Sequence, residues 1–238
     1  MDFDLGEEHR LLQATLSEFV DREVAPRAAE IDERGEFPWQ TLAAMAPLGY
    51  LGLNVPEGYG GAGADSLSVA LLLEQIGRGC GSTGLVVAAH IGLGTAPLLT
   101  FGSEAQKQRW LGPLARGEIL GCLGLTEPGA GSDLRGIRTT AERRGDEWVI
   151  NGSKMWLTNG AESGIMTLLV RTGDQFSQIL VPTQTPGVHF DPPEKKMGLN
   201  GSHTYSVSLA DVRVPAENLL GRAGQGLPQT MQVLAGGR

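Results

Sequence analysis

Cysteine, contiguous basic residues and long apolar runs are all scarce in this chain. Its two thiols, Cys80 and Cys122, stand alone with no Cys-x-x-Cys or Cys/His spacing. That argues against a zinc site and against a secreted disulfide framework, and no bound metal is expected. Lysine and arginine total 19 against 27 acidic residues, for a net charge of -8, and the densest basic cluster, Arg143-Arg144, is flanked by acids. Nucleic acid is therefore not an expected partner. The most apolar region, Thr83–Leu99, is interrupted by His90, Pro97 and several glycines, which makes it a poor membrane span. The N-terminus, MDFDLGEEHR, is acidic and polar, unlike a signal peptide, so a cytoplasmic location is expected.

What remains is 238 residues of ordinary soluble composition, 41% hydrophobic, enough to bury a core unaided. The first half reads as helical. Asp4 and Glu7 fit a loose capping box, and Leu12, Leu16, Phe19, Val20 and Val24 recur at helical spacing up to Pro26. Further helices are expected over Ser66–Ile76, capped by Asp65 or Ser66, near Ser82–Leu99, and over Ser103–Leu114 behind a Ser-x-x-Gln cap. The glycines of Glu57–Gly63 suit a turn. After Leu120 helical periodicity stops. Short β-rich runs appear, with hairpin signals at Arg144-Gly145-Asp146-Glu147 and Asn151-Gly152, the pattern of an antiparallel barrel or sandwich. Leu227, Met231 and Leu234 then begin a new helical stripe.

Two stretches of the second half carry chemistry. GLTEPGAGSDLRG, Gly124–Gly136, has phosphate-loop glycines but no lysine, and neither the P-loop nor the Rossmann pattern fits it. On local sequence it could be a plain turn between strands. Its other reading is a bend whose consecutive N–H groups form an anion nest, with the Ser132 hydroxyl added and Thr126 at the end of a small apolar strand. In KMWLTNG, strand alternation would put Lys154, Trp156 and Thr158 on one face, with Met155 and Leu157 on the other. Trp156 and Thr158 would lie ~6–7 Å apart, comparable to the breadth of an isoalloxazine ring. A core tryptophan beside a surface threonine is the plain alternative, but the two stretches together favour flavin adenine dinucleotide (FAD).

These two stretches, with KMGLNGSHT at Lys196–Thr204, DVRVPAENLLG at Asp211–Gly221 and the weaker N-terminal blocks, resemble the acyl-CoA dehydrogenases over the whole chain. The resemblance implies an α+β multidomain protein. An N-terminal all-α bundle (1–120) would precede a flavin-binding antiparallel β-barrel (121–224) and the start of a truncated C-terminal four-helix domain (225–238). It implies α,β-dehydrogenation of an acyl-CoA, as in fatty-acid β-oxidation, by a homotetramer that passes electrons to electron-transfer flavoprotein. Leu123, Leu125, Thr126, Trp156, Leu157 and Thr158 would meet the flavin ring, and Gly131 and Ser132 the diphosphate. Ser132, Ser202 and Arg238 would contact the substrate. No catalytic residue is assigned: the family's base is a glutamate of the C-terminal domain, with no counterpart here, and Glu127 is expected to orient its turn instead. His203 is expected on the solvated surface. Alternatives are a non-catalytic flavin-binding module or oxidase-type chemistry.

Overall fold

Two acidic residues open the first helix of the computed structural model, which describes residues 4–236. Helix α1 (Glu7–Phe19) starts behind Gly6 with no side-chain cap, in place of the expected Asp4 box, and Glu7 and Glu8 lie at its positive end. A π-helical turn, Val20–Val24, leads into α2 (Ala25–Arg34), with Pro26 in the first turn. Pro26 was expected to end the helix; instead it falls where a missing N–H costs nothing, and the chain stays helical as far as Gly35, at φ 62°.

Short α3 (Trp39–Met45) precedes α4 (Ser66–Gly79), whose Asp65 cap accepts the Ser68 N–H at 2.8 Å as expected. Helix α5 (Gly81–Ala89), a second π-helical turn (His90–Thr95) and α6 (Ala96–Phe101) follow as one helical stretch of 21 residues. The helix expected near Ser82–Leu99 is thus present, and Pro97 does not break it because it sits in a first turn. By length and apolarity alone this stretch could cross a membrane, although 56% of its most apolar window is buried inside the protein. Helix α7 (Glu104–Ala115) opens on a complete capping box: Ser103 N–H donates to Gln106 Oε1 at 2.9 Å and Gln106 N–H to Ser103 Oγ at 3.2 Å.

The strands are β1 (Leu120–Gly124), β2 (Thr140–Arg144), β3 (Glu147–Thr158), β4 (Ser163–Thr172), β5 (Gln175–Pro182), β6 (Val188–Phe190), β7 (Thr204–Pro215) and β8 (Leu219–Leu220), followed by α8 (Gly226–Gly236). They form one sheet in the order β6-β7-β3-β2-β4-β5-β8, with β1 paired to β4. Most pairings are antiparallel, but β1 runs parallel to β4 and β2 meets β4 in parallel at Thr140–Arg171. The β2–β3 hairpin turns through Gly145 at φ 62°, as expected. Asn151-Gly152 is no hairpin. It lies inside β3, where Gly152 takes φ 144° because a Cβ would come 2.5 Å from Thr139 Oγ1.

Two compact units interleave along the chain. One, mainly helical, runs to Ala88 and adds Ala115–Glu118 and Lys195–Ser202; the other holds Ala89–Leu114, Ile119–Glu194 and the chain from His203. In the helical unit Phe19 meets Tyr50 edge-on at 5.3 Å, and Gly79 lies against Val20. The sheet unit buries Ile150, Leu157, Met166, Leu168, Ile179 and Val207 in one core. Helix α8 belongs to it and corrects the expected stripe. Gln229, Thr230 and Val233 are buried while Met231 is 52% exposed. Gly226 approaches the Ser177 backbone, and Gln178 Nε2 donates to Thr230 Oγ1 at 2.8 Å, which fixes that face inward.

Strand β1 is seated against the second π-helical turn. Gly121 N–H donates to His90 Nδ1 at 3.2 Å, so the other ring nitrogen, Nε2, donates to the Leu114 carbonyl at 3.2 Å. A Cβ on Gly94 would stand 2.3 Å from the Gly121 backbone, whereas Gly92 has nothing within 4 Å. Gly92→Ala is therefore expected to raise stability by about 0.5–1 kcal/mol, the usual helical gain. Gly94→Ala should instead lower it by about 1–3 kcal/mol through overpacking. Thermal unfolding of the two variants checks the opposite signs.

Candidate functional site

The glycine-rich stretch folds as a tight turn followed by a wide loop. Glu127 and Ala130 exchange backbone hydrogen bonds at 2.9 and 3.1 Å across Pro128-Gly129. Ala130 and Ile137 pack on Leu169 of β4, with Leu125 and Leu134 beside them, so the loop has its own small core. Strand β4 also clamps it by charge: Arg171 Nε donates to the Ile137 carbonyl at 3.2 Å and Nη2 to the Arg135 carbonyl at 3.0 Å. Neither Gly129 nor Gly131 has a positive φ, so the bend is built without left-handed glycines. What the bend offers is simple. Gly131 and Ser132 are exposed, and their N–H groups have no hydrogen bond among the described residues. Asp133 turns its carboxylate back on the Arg135 N–H at 3.0 Å, which starts the short 3₁₀ turn Leu134–Gly136.

Beneath the turn lies a buried ion pair. Glu127 Oε1 stands 2.8 Å from Lys154 Nζ, with side chains 6% and 0% exposed. Lys154 also donates to the Leu125 carbonyl at 3.1 Å, and Glu127 accepts the backbone N–H groups of Arg138 (2.7 Å) and Thr139 (3.0 Å). Burial alone would push the Glu127 carboxyl up, but the hydrogen bonds from Lys154, Thr139 and Arg138 outweigh it and hold it below the usual carboxylate range. Burial pulls the Lys154 ammonium down to about 8, with Glu127 opposing the shift. With both oxygens engaged, Glu127 is a structural anchor and not a proton acceptor for a substrate. A cleft of about 330 Å³ borders it, lined by Pro128, Gly129, Gly136, Arg138, Thr139, Gly152 and Ser153.

Lys154 was expected on the same face as Trp156. It points into the core instead, because β3 is not a regular strand at this point. Lys154 pairs with Val207 and Leu157 with Tyr205, so three steps on β3 match two on β7. Trp156 is within this bulge at φ 61°, a conformation costing a non-glycine residue on the order of 1–3 kcal/mol. The bulge lets Lys154 and Leu157 both turn inward, each 0% exposed, while Trp156 is 54% exposed and Thr158 half-buried. Of the expected ring contacts, Leu157 therefore has only its backbone to offer. Leu123, Leu125 and Thr126 are half-buried.

The two stretches do meet. Met155 N–H donates to the Thr126 carbonyl at 2.8 Å. Thr139 Oγ1 donates to the Ser153 carbonyl at 3.0 Å, and Ser153 N–H returns to Thr139 Oγ1 at 3.3 Å. Ser202 belongs to the helical unit; its residue is fully buried and its Oγ has no hydrogen-bond partner among the described residues. Arg238 lies outside the described residues. His203 is not a solvated side chain: its Nδ1 is 2.5 Å from Glu162 Oε1 and 3.1 Å from the Tyr205 hydroxyl, which itself donates to Glu162 at 2.5 Å. Burial first, then Glu162, pushes the Tyr205 phenol up. Sequence reasoning missed this cluster because its members come from the β3–β4 turn and the start of β7.

The anchored carboxylate sets a pH dependence. A group held below its ordinary 4.5 stabilises the fold fully above that value, and the contribution is lost as pH falls through the folded value. Glu127→Gln leaves Lys154 buried without its counter-charge, and a loss of about 3–5 kcal/mol is expected at pH 7. That deficit against the native chain should begin to shrink as pH falls below 4.5, where the unfolded carboxyl takes up its proton, and should close only once pH passes the lower folded value; denaturant melts at pH 7, 5 and 3.5 follow the decline.

Comparison with known proteins agrees with this arrangement. The chain matches the acyl-CoA dehydrogenase N-terminal domain over residues 6–118 and the acyl-CoA dehydrogenase middle domain over residues 122–212. It is 46% identical over 244 residues to the probable acyl-CoA dehydrogenase YngJ of Bacillus subtilis (strain 168), covering 100% of this chain and 64% of that protein. The structure of butyryl-CoA dehydrogenase from Megasphaera elsdenii superposes with a TM-score of 0.94 at 34% identity, over 100% of this chain and 64% of that one. An acyl-CoA dehydrogenase from Bacillus anthracis, solved in complex with FAD, gives a TM-score of 0.94 at 39% identity, over 98% of this chain and 41% of that one. The chain thus spans less than two thirds of the length of these relatives. With both domains matched, and matched in order, the chain belongs to the acyl-CoA dehydrogenase family.

Proposed function

We propose that this chain is the helical and sheet portion of an FAD-dependent acyl-CoA dehydrogenase, and that the edge formed by Thr126, Trp156 and Thr158 receives the flavin. The observation that carries the reading is the 2.8 Å bond from Met155 N–H to the Thr126 carbonyl, which brings the two motif segments to one place. The residues present suit the cofactor. Trp156 offers half its surface as a stacking face, the Thr126 and Thr158 hydroxyls can bond ring heteroatoms, and the unpaired N–H groups of Gly131 and Ser132 can take an anionic diphosphate. FAD, when bound, supplies the hydride acceptor for the β-hydrogen of the substrate. The chain's own residues bind and orient; Glu127, the buried carboxylate of the motif, is fully engaged and not free to take the α-proton. That base is assigned to a C-terminal helical domain, within the additional length of the relatives.

In this reading the substrate is an acyl-CoA thioester, the electron acceptor an electron-transfer flavoprotein, and the complete enzyme a homotetramer. Butyryl-CoA dehydrogenase among the relatives favours a short acyl chain. Two measurements test the proposal. Titration with FAD should quench tryptophan fluorescence and give a flavin absorbance band, and Trp156→Ala should weaken binding about tenfold, the loss of one aromatic stacking contact. Acyl-CoAs of graded length, assayed with an artificial acceptor, should give no turnover with the 238-residue chain. Absence of any FAD binding would sink the flavin reading, and turnover matching a full-length relative would sink the assignment of the base.

A further inference from the structure

Lys154 reaches neither solvent nor, in the reading above, cofactor: it is 0% exposed, and its ammonium makes two hydrogen bonds to the turn that precedes it by almost thirty residues. Its two bonded partners flank Thr126 on both sides, Leu125 by its carbonyl and Glu127 by its carboxylate. The next residue, Met155, bonds the Thr126 carbonyl itself. Glu127 in turn gathers the N–H groups of Arg138 and Thr139, where the wide loop returns to β2. Residues 153–155 of β3 thus hold both ends of the loop.

Immediately beyond comes the bulge. Trp156 sits where the ladder between β3 and β7 loses register, so strand pairing alone does not fix the direction of its indole. Something on the N-terminal side of the bulge must. We propose that Lys154 is a positioning residue: through Glu127 and the Leu125 carbonyl it fixes the Thr126 turn against the Trp156–Thr158 segment, and so sets the separation of the two walls of the flavin edge. This inference rests on the flavin reading for its consequence, but the mechanical claim stands on the protein's own contacts.

The test is a neutral double variant, Lys154→Met with Glu127→Gln, which removes both buried charges together so that neither is left unpaired and the sheet still folds. Hydrogen exchange on the full 238-residue chain should show amides of residues 125–139 and 155–159 exchanging at least tenfold faster, with β4 and β5 unchanged. In parallel the FAD dissociation constant should rise at least fivefold, and the vibronic structure of the bound-flavin band should flatten. Lys154→Met alone should show the same two segments loosened, together with a lower melting temperature from the stranded carboxylate. Unchanged protection in both segments overturns the proposal, as does an even loss across the whole sheet, which would make the pair a general core element. If the native chain takes up no FAD, the flavin reading fails, while the exchange comparison still decides whether Lys154 ties these segments together.

Discussion

A lysine and a glutamate brought together in a sheet core constrain everything around them. Removing each charge from water costs several kcal/mol, and their attraction offsets this only if the remaining donors and acceptors are also used. In this protein both ions have further partners. The carboxylate takes two backbone N–H groups besides the ammonium, and the ammonium takes a backbone carbonyl besides the carboxylate. Four backbone segments are therefore positioned by one pair: the end of β1, the turn after it, the return into β2, and the middle of β3. Any displacement of one leaves a buried polar group unsatisfied, so the arrangement is rigid by energetic necessity.

The same pair explains why β3 is irregular. A strand with strict alternation would place Lys154 and Leu157 on opposite faces. The bulge at Trp156 inserts the extra residue that allows both to face inward, and the displaced side chain is the indole, which is left 54% exposed. A second irregularity lies nearer the β2–β3 hairpin. Where Ile150 and Gly152 meet Val212 and Leu209, the extra residue is on β7, Asp211 takes φ 52°, and its N–H is capped by Asn151 Oδ1 at 2.8 Å. The two bulges fall on different strands and twist one long pairing around a filled core.

Local chemistry was legible in the sequence wherever it is satisfied within a few residues. The Ser103/Gln106 box, the Asp65 cap and the Arg144–Glu147 hairpin all appear as read. Signals whose outcome depends on distant partners were not. Asn151-Gly152 looks like a hairpin, but its glycine answers a close approach by Thr139, and its asparagine answers Asp211. Pro26 looks like a helix end until a π-helical turn ahead of it resets the hydrogen-bond frame. His203 reads as solvated because Glu162, which anchors it, comes from the β3–β4 turn far away in sequence. Lys154 is the instructive case: a period-2 reading cannot see a bulge, and a lysine is by default placed outside.

How a glycine-rich bend carrying two acids could face an anion without a lysine of its own then has a physical answer. The charge of Glu127 is cancelled by Lys154 beneath the turn, and the Asp133 carboxylate is occupied with the Arg135 N–H. Arg171 is spent on loop carbonyls from the side, holding them toward β4. What the bend leaves outward is a pair of N–H dipoles at Gly131 and Ser132 and one hydroxyl. Dipoles held in place by a rigid scaffold need no reorganisation to meet a negative group, and they bind it without the competing pull that a mobile ammonium would exert on neighbouring carboxylates. Under the proposed reading, the Lys154 charge stays beneath the turn, where it holds Glu127 and the Leu125 carbonyl and does not face outward.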